Sequence, residues 1–468
     1  MPFMVAGRRL GAAILGFALA LPAATAPRVP PGVSAQALEL LKRSISYRTV
    51  AGEGQVPAYA TWLAEVLVAG GFDRDDIAIE PHSETATLVA RWRGRDPRLA
   101  PLLLSGHMDV VAANPADWQR DPFTAVVESG FVYGRGSVDN KFGIATMVAT
   151  LVWLRQEGWQ PRREIVLALT GDEETTQDTT AVLAGQWKHA WMLLNSDAGG
   201  AALSDDGKPV VYALQAAEKT YVDFEIGFTG PGGHSSRPGP DNVIHSLARA
   251  ITRIAELRFP TRSSELTVAY FRAAGPLTPG ETGAAMLRYA ADPTDRAAYE
   301  HLAAQPEYVG QLGTTCIATM AKAGHAPNAL PQSATVNVNC RVFPGERIEE
   351  VQAALERAID DPAAKFRVQG TPQTSEASPL RPDLVAALRR ALDLRAPGLP
   401  IVPTMSAGAT DSLYFRNAGV PSYGVGGVFM HPRDNFAHGL DERVPVAAID
   451  GALLQWRSLL RDLAGSAR

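Results

Sequence analysis

Leu102-Leu103-Leu104-Ser105-Gly106-His107-Met108-Asp109 is the stretch on which the fold turns. Three leucines, two small residues and a histidine predict a short buried strand that delivers polar side chains at its C-terminal end. Downstream, residues 144–154 repeat apolar side chains every three or four positions, which predicts a helix beginning near Asn140. Ile165-Val166-Leu167-Ala168-Leu169-Thr170 and Trp191-Met192-Leu193-Leu194 predict two more buried strands. Upstream, residues 35–46 and 57–69 carry helical spacing. Strands alternating with helices predict an α/β fold: a mixed, largely parallel sheet flanked by helices.

The pattern changes after residue 216. Strands are predicted at 221–228, 314–320, 334–343 and 365–368, and helices at 242–257 and 346–359. That β-α-β-β-α-β order is the ferredoxin-like α+β pattern. Residues near 260–310 read as a helical insertion within it, and the α/β pattern resumes at Pro379 and closes with a helix at 446–463. The expected division is a leader at 1–26, the first part of a larger domain at 27–216, an inserted domain at 217–372, and the second part at 373–468.

The chain has 468 residues, 46% hydrophobic and 20% charged, enough for two or three domains with a full core. A net charge of −5 leaves no basic excess to track a phosphate backbone, which excludes nucleic acid as the expected partner. Arg8-Arg9, an uncharged stretch over 10–21 and Ala24-Thr25-Ala26 describe a secretory signal cut after Ala26. Its apolar run falls short of the ~20 residues that span a bilayer. The expectation is therefore a periplasmic or secreted protein with no membrane attachment after cleavage. Cys316 and Cys340 are too few for a disulfide scaffold or a cysteine-rich zinc module. They lie on the two strands flanking the 324–331 loop; buried free thiols are the favoured reading, with a disulfide open if those strands pair.

Polar residues follow the buried strands. His107 and Asp109 follow the first, Gly171-Asp172-Glu173-Glu174 the second, and Asn195-Ser196-Asp197 the third. Gly134-Arg135-Gly136-Ser137-Val138-Asp139 ends at a helix start, and Ala437-His438-Gly439 lies near the C-terminus. Each has an ordinary explanation alone: Asp139 as a helix cap, residues 172–174 as a solvated loop. Taken together they converge where strand ends of an α/β sheet meet in one crevice. Two imidazoles and three carboxylates there can bind a pair of divalent cations, one carboxylate bridging.

Those motifs, in that order, resemble the co-catalytic dizinc exopeptidases and deacylases that include glutamate carboxypeptidase, acetylornithine deacetylase, succinyl-diaminopimelate desuccinylase and aminoacylase. Within that family the Trp118…Pro122-Phe123 stretch and the enlarged small domain resemble yeast vacuolar carboxypeptidase S and the secreted N-acyl-amino-acid hydrolases. The resemblance implies two Zn2+ per subunit, with Co2+ or Mn2+ also admissible. One ion would take His107 and Asp197, the other Glu174 and His438, with Asp139 bridging and a cis peptide after it. It implies Glu173 as general base and Asp109 as the residue that orients His107. It further implies a homodimer in which His234 of Gly232-Gly233-His234-Ser235 stabilises the tetrahedral intermediate, often across subunits. Asn328 and Arg341 would hold the substrate's carboxylate, and Gly408 would approach substrate with its backbone. The implied activity is hydrolysis of an amide next to a free carboxylate in short peptides, as a carboxypeptidase or dipeptidase. The alternative is deacylation of N-acyl amino acids. A non-catalytic binding protein keeping the fold is the rival from another class; it would have lost a ligand or the base, and all six positions are filled.

Overall fold

The computed structural model describes residues 28–465, so the leader expected at 1–26 lies outside the described residues. Leu102–His107 and Ile165–Thr170 are buried at every position, as strands covered on both faces must be. They pair in parallel, Leu104 opposite Leu167 and His107 opposite Thr170. Met192–Asn195 continues the sheet in parallel on the other side of Leu102–His107, and Ser422–Gly424 follows it. Antiparallel strands extend this parallel centre. The hairpin Ile77–His82 and Thr85–Trp92 joins Ile165–Thr170. At the other side Pro209–Glu218 pairs with Ser422–Gly424 and Gly200–Leu203, while Ile401–Ser406 runs parallel to it.

Helix Lys141–Gln156 is buried from Lys141 to Leu154. It has no solvent face there because it lies on Leu102–His107 with Pro31–Ile45 and Ala448–Gly465 packed outside it. Its N-terminus therefore cannot move without disturbing the main core, which holds Phe142, Met147, Leu151 and the fully buried Trp456.

A second, four-stranded antiparallel sheet has the order Thr315–Ala323, Ser333–Val342, Thr220–Thr229, Lys365–Gln369. Burial alternates along Thr220–Thr229 and Ser333–Val342, so one face is covered. Helices Val243–Glu256 and Ile348–Ile359 pack together, and the small core they share with the sheet includes Phe224, Val338 and Leu355. Four helices, Glu265–Ala274, Gly280–Ala291, Arg296–Ala303 and Pro306–Leu312, form a further unit around Phe271, Met286 and Tyr289. The first of them rests on Ile401–Ser406, tying this unit to the main sheet.

The thiol reading is corrected. Cys316 and Cys340 stand opposite one another in the antiparallel register and are joined as a disulfide, with Cα atoms 4.1 Å apart. Direct cross-strand neighbours share a face at bonding reach, so pairing of the two strands brings the sulfurs together. Among the described residues no helix is long and apolar enough to cross a membrane.

Candidate metal centre

Three parallel strands end on one edge of the main sheet, and the loops leaving them carry the predicted donors. His107 closes its own strand, 171–174 follow Thr170, and 196–197 follow Asn195. Gly106 lets these loops close, since a Cβ there would lie 2.5 Å from Asn140 Oδ1 and 2.7 Å from Ser196 Oγ. His107 Nε2 lies 2.8 Å from Asp139 Oδ1 and 3.5 Å from Asp197 Oδ1. His438 Nε2 lies 3.1 Å from Asp139 Oδ2 and 2.9 Å from Glu174 Oε1. Asp139 thus gives one oxygen to each imidazole, and each imidazole has a second carboxylate of its own. All five residues predicted as ligands come together, and donor atoms of His107, Asp139 and Glu174 lie within 4.8 Å of one another. The Asp139–Asn140 peptide is cis.

The acids at 172–174 are adjacent in sequence yet differently employed. Asp172 accepts hydrogen bonds from Thr176 Oγ1 at 2.7 Å and from the amides of Asp178 and Thr179 at 2.9 and 3.1 Å, anchoring the start of helix Asp178–Gln186. Glu174 turns to His438. Glu173 turns to neither; its carboxylate meets Gln177 Nε2 at 3.4 Å. Asp109 holds this loop, accepting from the amides of Glu173 and Glu174 at 3.1 and 3.0 Å. Its backbone carbonyl meets His107 Nδ1 at 3.0 Å, while its carboxylate stands 3.5 Å from the same nitrogen. Asp109 therefore orients the imidazole chiefly through its main chain and the base-bearing loop through its side chain.

Sequence reading assigned no role to several residues that support the cluster. Glu442, fully buried, accepts from Arg135 Nη1 at 2.7 Å and from the amides of Gly136, Val138 and Asp139 at 2.9, 2.8 and 3.1 Å. Asp411 is buried beneath the site and accepts from Thr170 Oγ1 at 2.7 Å and from Thr180 Oγ1. Asn195 Oδ1 accepts from the Asp197 amide at 2.9 Å, and its Nδ2 donates to Thr410 Oγ1 at 3.2 Å. The available signal was an acid beside each quoted motif, Glu442 after His438 and Asp411 after Gly408.

Electrostatics show why cations suit the cluster. Burial, reinforced by Asp139, pushes the Asp197 carboxyl up to about 7. Burial also raises Glu174, and it holds Glu173 well above the usual carboxylate range. Burial would raise Asp139 too, but hydrogen bonds from His107 and His438 outweigh it and hold the group below its ordinary value. The hydrogen bond to Asp139 lifts the His438 imidazole to about 9. Crowded, desolvated carboxylates of this kind are stabilised by cations. The imidazole and carboxylate donors suit zinc, manganese or cobalt, so the residues present fit a pair of such ions.

The remaining predicted residues lie on two other pieces. His234 and Asn328 share a short ribbon: His234 pairs with Ala329, and the Ser235 amide donates to Asn328 O at 3.1 Å. His234 is exposed, and its Nδ1 meets Ser236 Oγ at 2.8 Å. Arg341 lies over the Tyr221 ring and donates to Ala407 O, which puts its guanidinium beside Gly408. Among the described residues no hydrogen bond or ion pair ties these four to the five clustered ligands. A cavity of about 360 Å3 borders Asp139 and Asp197, and another of about 400 Å3 lies beyond Asp109, against Thr49, His82 and Glu84.

A family model described as Peptidase family M20/M25/M40 matches residues 103–462. Human "N-fatty-acyl-amino acid synthase/hydrolase PM20D1" is 27% identical over 397 residues, covering 82% of this chain and 77% of its own. Among solved structures, the M20 family metallo-carboxypeptidase Sso-CP2 from Sulfolobus solfataricus aligns with a TM-score of 0.66 at 18% identity, over 91% of this chain and 98% of that one. YXEP of Bacillus subtilis, described as a dinuclear metal binding peptidase from the M20 family, aligns with a TM-score of 0.59 at 13% identity, over 94% and 100% of the two chains.

Proposed function

Because the chain belongs to peptidase family M20/M25/M40, a family of hydrolases acting on peptide bonds, we propose that it is a two-metal enzyme cleaving an amide next to a free carboxylate. The observation that carries this reading is the division of Asp139 between two imidazoles, each with its own further carboxylate. His107 with Asp197, and Glu174 with His438, would hold one ion each about Asp139, and the ions when bound would polarise the scissile carbonyl and acidify water. Zinc is the preferred ion, and cobalt or manganese also suits the donors.

The protein's own groups supply the rest. Glu173, the one acid of its loop engaged neither as a cap nor with an imidazole, takes a proton from the attacking water. As oxygen bonds to the carbonyl carbon and the C–N bond breaks, Glu173 returns that proton to the leaving nitrogen. Asp109 keeps Glu173 and Glu174 aimed in different directions by binding both of their amides. Arg341, beside Gly408, offers a planar fork suited to the substrate's carboxylate, and His234 and Asn328 would act from their shared ribbon.

Short peptides and N-acyl amino acids meet these demands equally, since they differ only on the carbonyl side. The peptide reading rests on the family; the acyl reading is favoured by the relative named N-fatty-acyl-amino acid synthase/hydrolase, which spans most of this chain. Turnover of dipeptides and N-acyl amino acids by the metal-loaded protein tests both, and chelation is expected to abolish it. A metal-loaded protein inert toward every amide with a free carboxylate would favour the binding-protein reading. The proposal includes export: the Cys316–Cys340 disulfide is a bond that oxidising compartments preserve. The exported protein is expected to begin at Pro27 on N-terminal sequencing, and a chain retaining residues 1–26 would contradict this.

A further inference from the structure

We propose that the cavity of about 280 Å3 around Trp191 and Arg163 binds a phosphate-type oxyanion, at a site separate from the metal centre. The cavity lies where the three parallel strands begin. Arg162 and Arg163 precede Ile165–Thr170, Leu99 precedes Leu102–His107, and Trp191 precedes Met192–Asn195. The metal ligands leave the opposite ends of the same strands. Leu102–His107 alone spans six residues, so roughly 20 Å of sheet separates the two places. An anion held here is therefore distinct from the substrate carboxylate assigned to Arg341.

Three guanidiniums, those of Arg162, Arg163 and Arg381, line the cavity, and its two carboxylates are already committed. Asp383 accepts two bonds from Arg381, at 3.1 and 2.7 Å, and Asp462 accepts from Arg390 at 2.5 Å. Arg162 pairs with Asp96 at 3.3 Å. Among the described residues no carboxylate pairs with Arg163, whose Nη1 donates to Ala100 O. Burial, with Arg381 and Arg162 nearby, holds this guanidinium below its ordinary value. Cations pressed together without a full counter-charge gain from an anion between them.

The donors are also held in place. Arg163 lies 4.0 Å from the centre of the Trp191 ring and Arg381 4.7 Å. A guanidinium that stacks by its face keeps its N–H groups in plane, free to meet oxygen at the edge. The backbone beneath is fixed, because the amides of Arg162 and Arg163 both donate to Ala464 O, at 2.8 and 3.0 Å. Binding therefore costs little ordering of the site. A carboxylate offers two oxygens to one fork, whereas cations from the separate segments at 162–163 and 381 suit the further oxygens of phosphate. Leu99 and Leu463 complete the walls and can pack against the carbon end of a phosphate ester.

Calorimetric titration of the metal-loaded mature protein with inorganic phosphate, at constant ionic strength and with acetate as comparison, tests the site. Phosphate is expected to bind with a Kd below about 1 mM and at least tenfold tighter than acetate. Arg163→Gln and Arg381→Gln are each expected to weaken it at least tenfold, so a folding failure in one leaves the second. Asp383→Asn removes a competing carboxylate and is expected to tighten phosphate at least threefold. Phosphate held at the metal centre instead would be indifferent to all three changes. That indifference, or the absence of measurable binding, would overturn the proposal. Sedimentation with phosphatidylglycerol or phosphatidylcholine vesicles identifies the source of the phosphate, and either answer upholds the site. Capture by phosphatidylglycerol alone, lost in Arg163→Gln, names a lipid headgroup; phosphate binding without capture names a soluble phosphate.

Discussion

Glu173→Gln is expected to lower kcat about 10²–10⁴-fold, the range for losing a positioned general base, while bound metal stays at the wild-type level. Three acids in a row compete for that role, and the geometry separates them. Asp172 is saturated by Thr176 and the amides of Asp178 and Thr179, so its change would loosen a helix start. Glu174 is 2.9 Å from His438, so its loss would strip donors from the cluster. Glu173 faces the same crevice with only Gln177 near its carboxylate. Burial holds its carboxyl well above the ordinary range, and a carboxylate made costly by desolvation is a stronger proton acceptor. Glutamine preserves the shape and the backbone bond to Asp109 but cannot accept the proton. Paired kinetics and metal analysis decide the matter: a metal-loaded Glu173→Gln enzyme turning over at the wild-type rate would remove Glu173 from the mechanism.

The donors themselves were legible because buried parallel strands are written as apolar runs, and the residues after such runs have few places to go. Leu102-Leu103-Leu104 and Ile165–Thr170 announce both the sheet and the edge where His107 and residues 172–174 emerge. The division of labour among Asp172, Glu173 and Glu174 is not written there, because it depends on which amides and hydroxyls the folded loop presents. The antiparallel additions, Ile77–His82 and Gly200–Leu203, were also missed. They carry partly exposed positions and lack the unbroken apolar run that marked the central strands. The small sheet was easier to read because its strands alternate. The same pairing that aligns Val338 with Ala318 also sets Cys340 against Cys316, which spacing about a loop could raise but not decide. Hardest of all are contacts between distant segments. Arg135 and Glu442 are 307 positions apart, and each is unremarked until the chain folds them into one buried pair.

That pair supports the second large effect. Glu442→Leu is expected to destabilise the protein by about 3–5 kcal/mol, the cost of leaving a buried charge without its partner. The single carboxylate accepts four donors: the Arg135 guanidinium and the amides of Gly136, Val138 and Asp139. Leucine leaves all four unmet in a place water does not reach. Arg135 also donates to Gly439 O at 3.2 Å and lies over the Trp118 ring, so its release would loosen the turn that carries His438. Because the Asp139 amide is among the four, the bridging carboxylate would lose the support that positions it, and metal affinity should fall by about 10–100-fold. Chemical denaturation of the metal-free protein separates the two consequences, since any loss of stability there owes nothing to the ions. The double variant Arg135→Met/Glu442→Leu removes the orphaned charge and should recover part of the stability, though not the metal affinity, because the three amides remain unpaired. An unfolding midpoint for metal-free Glu442→Leu equal to the wild type would mean that the buried pair does not support the fold, and an unchanged metal affinity that it does not support the bridge.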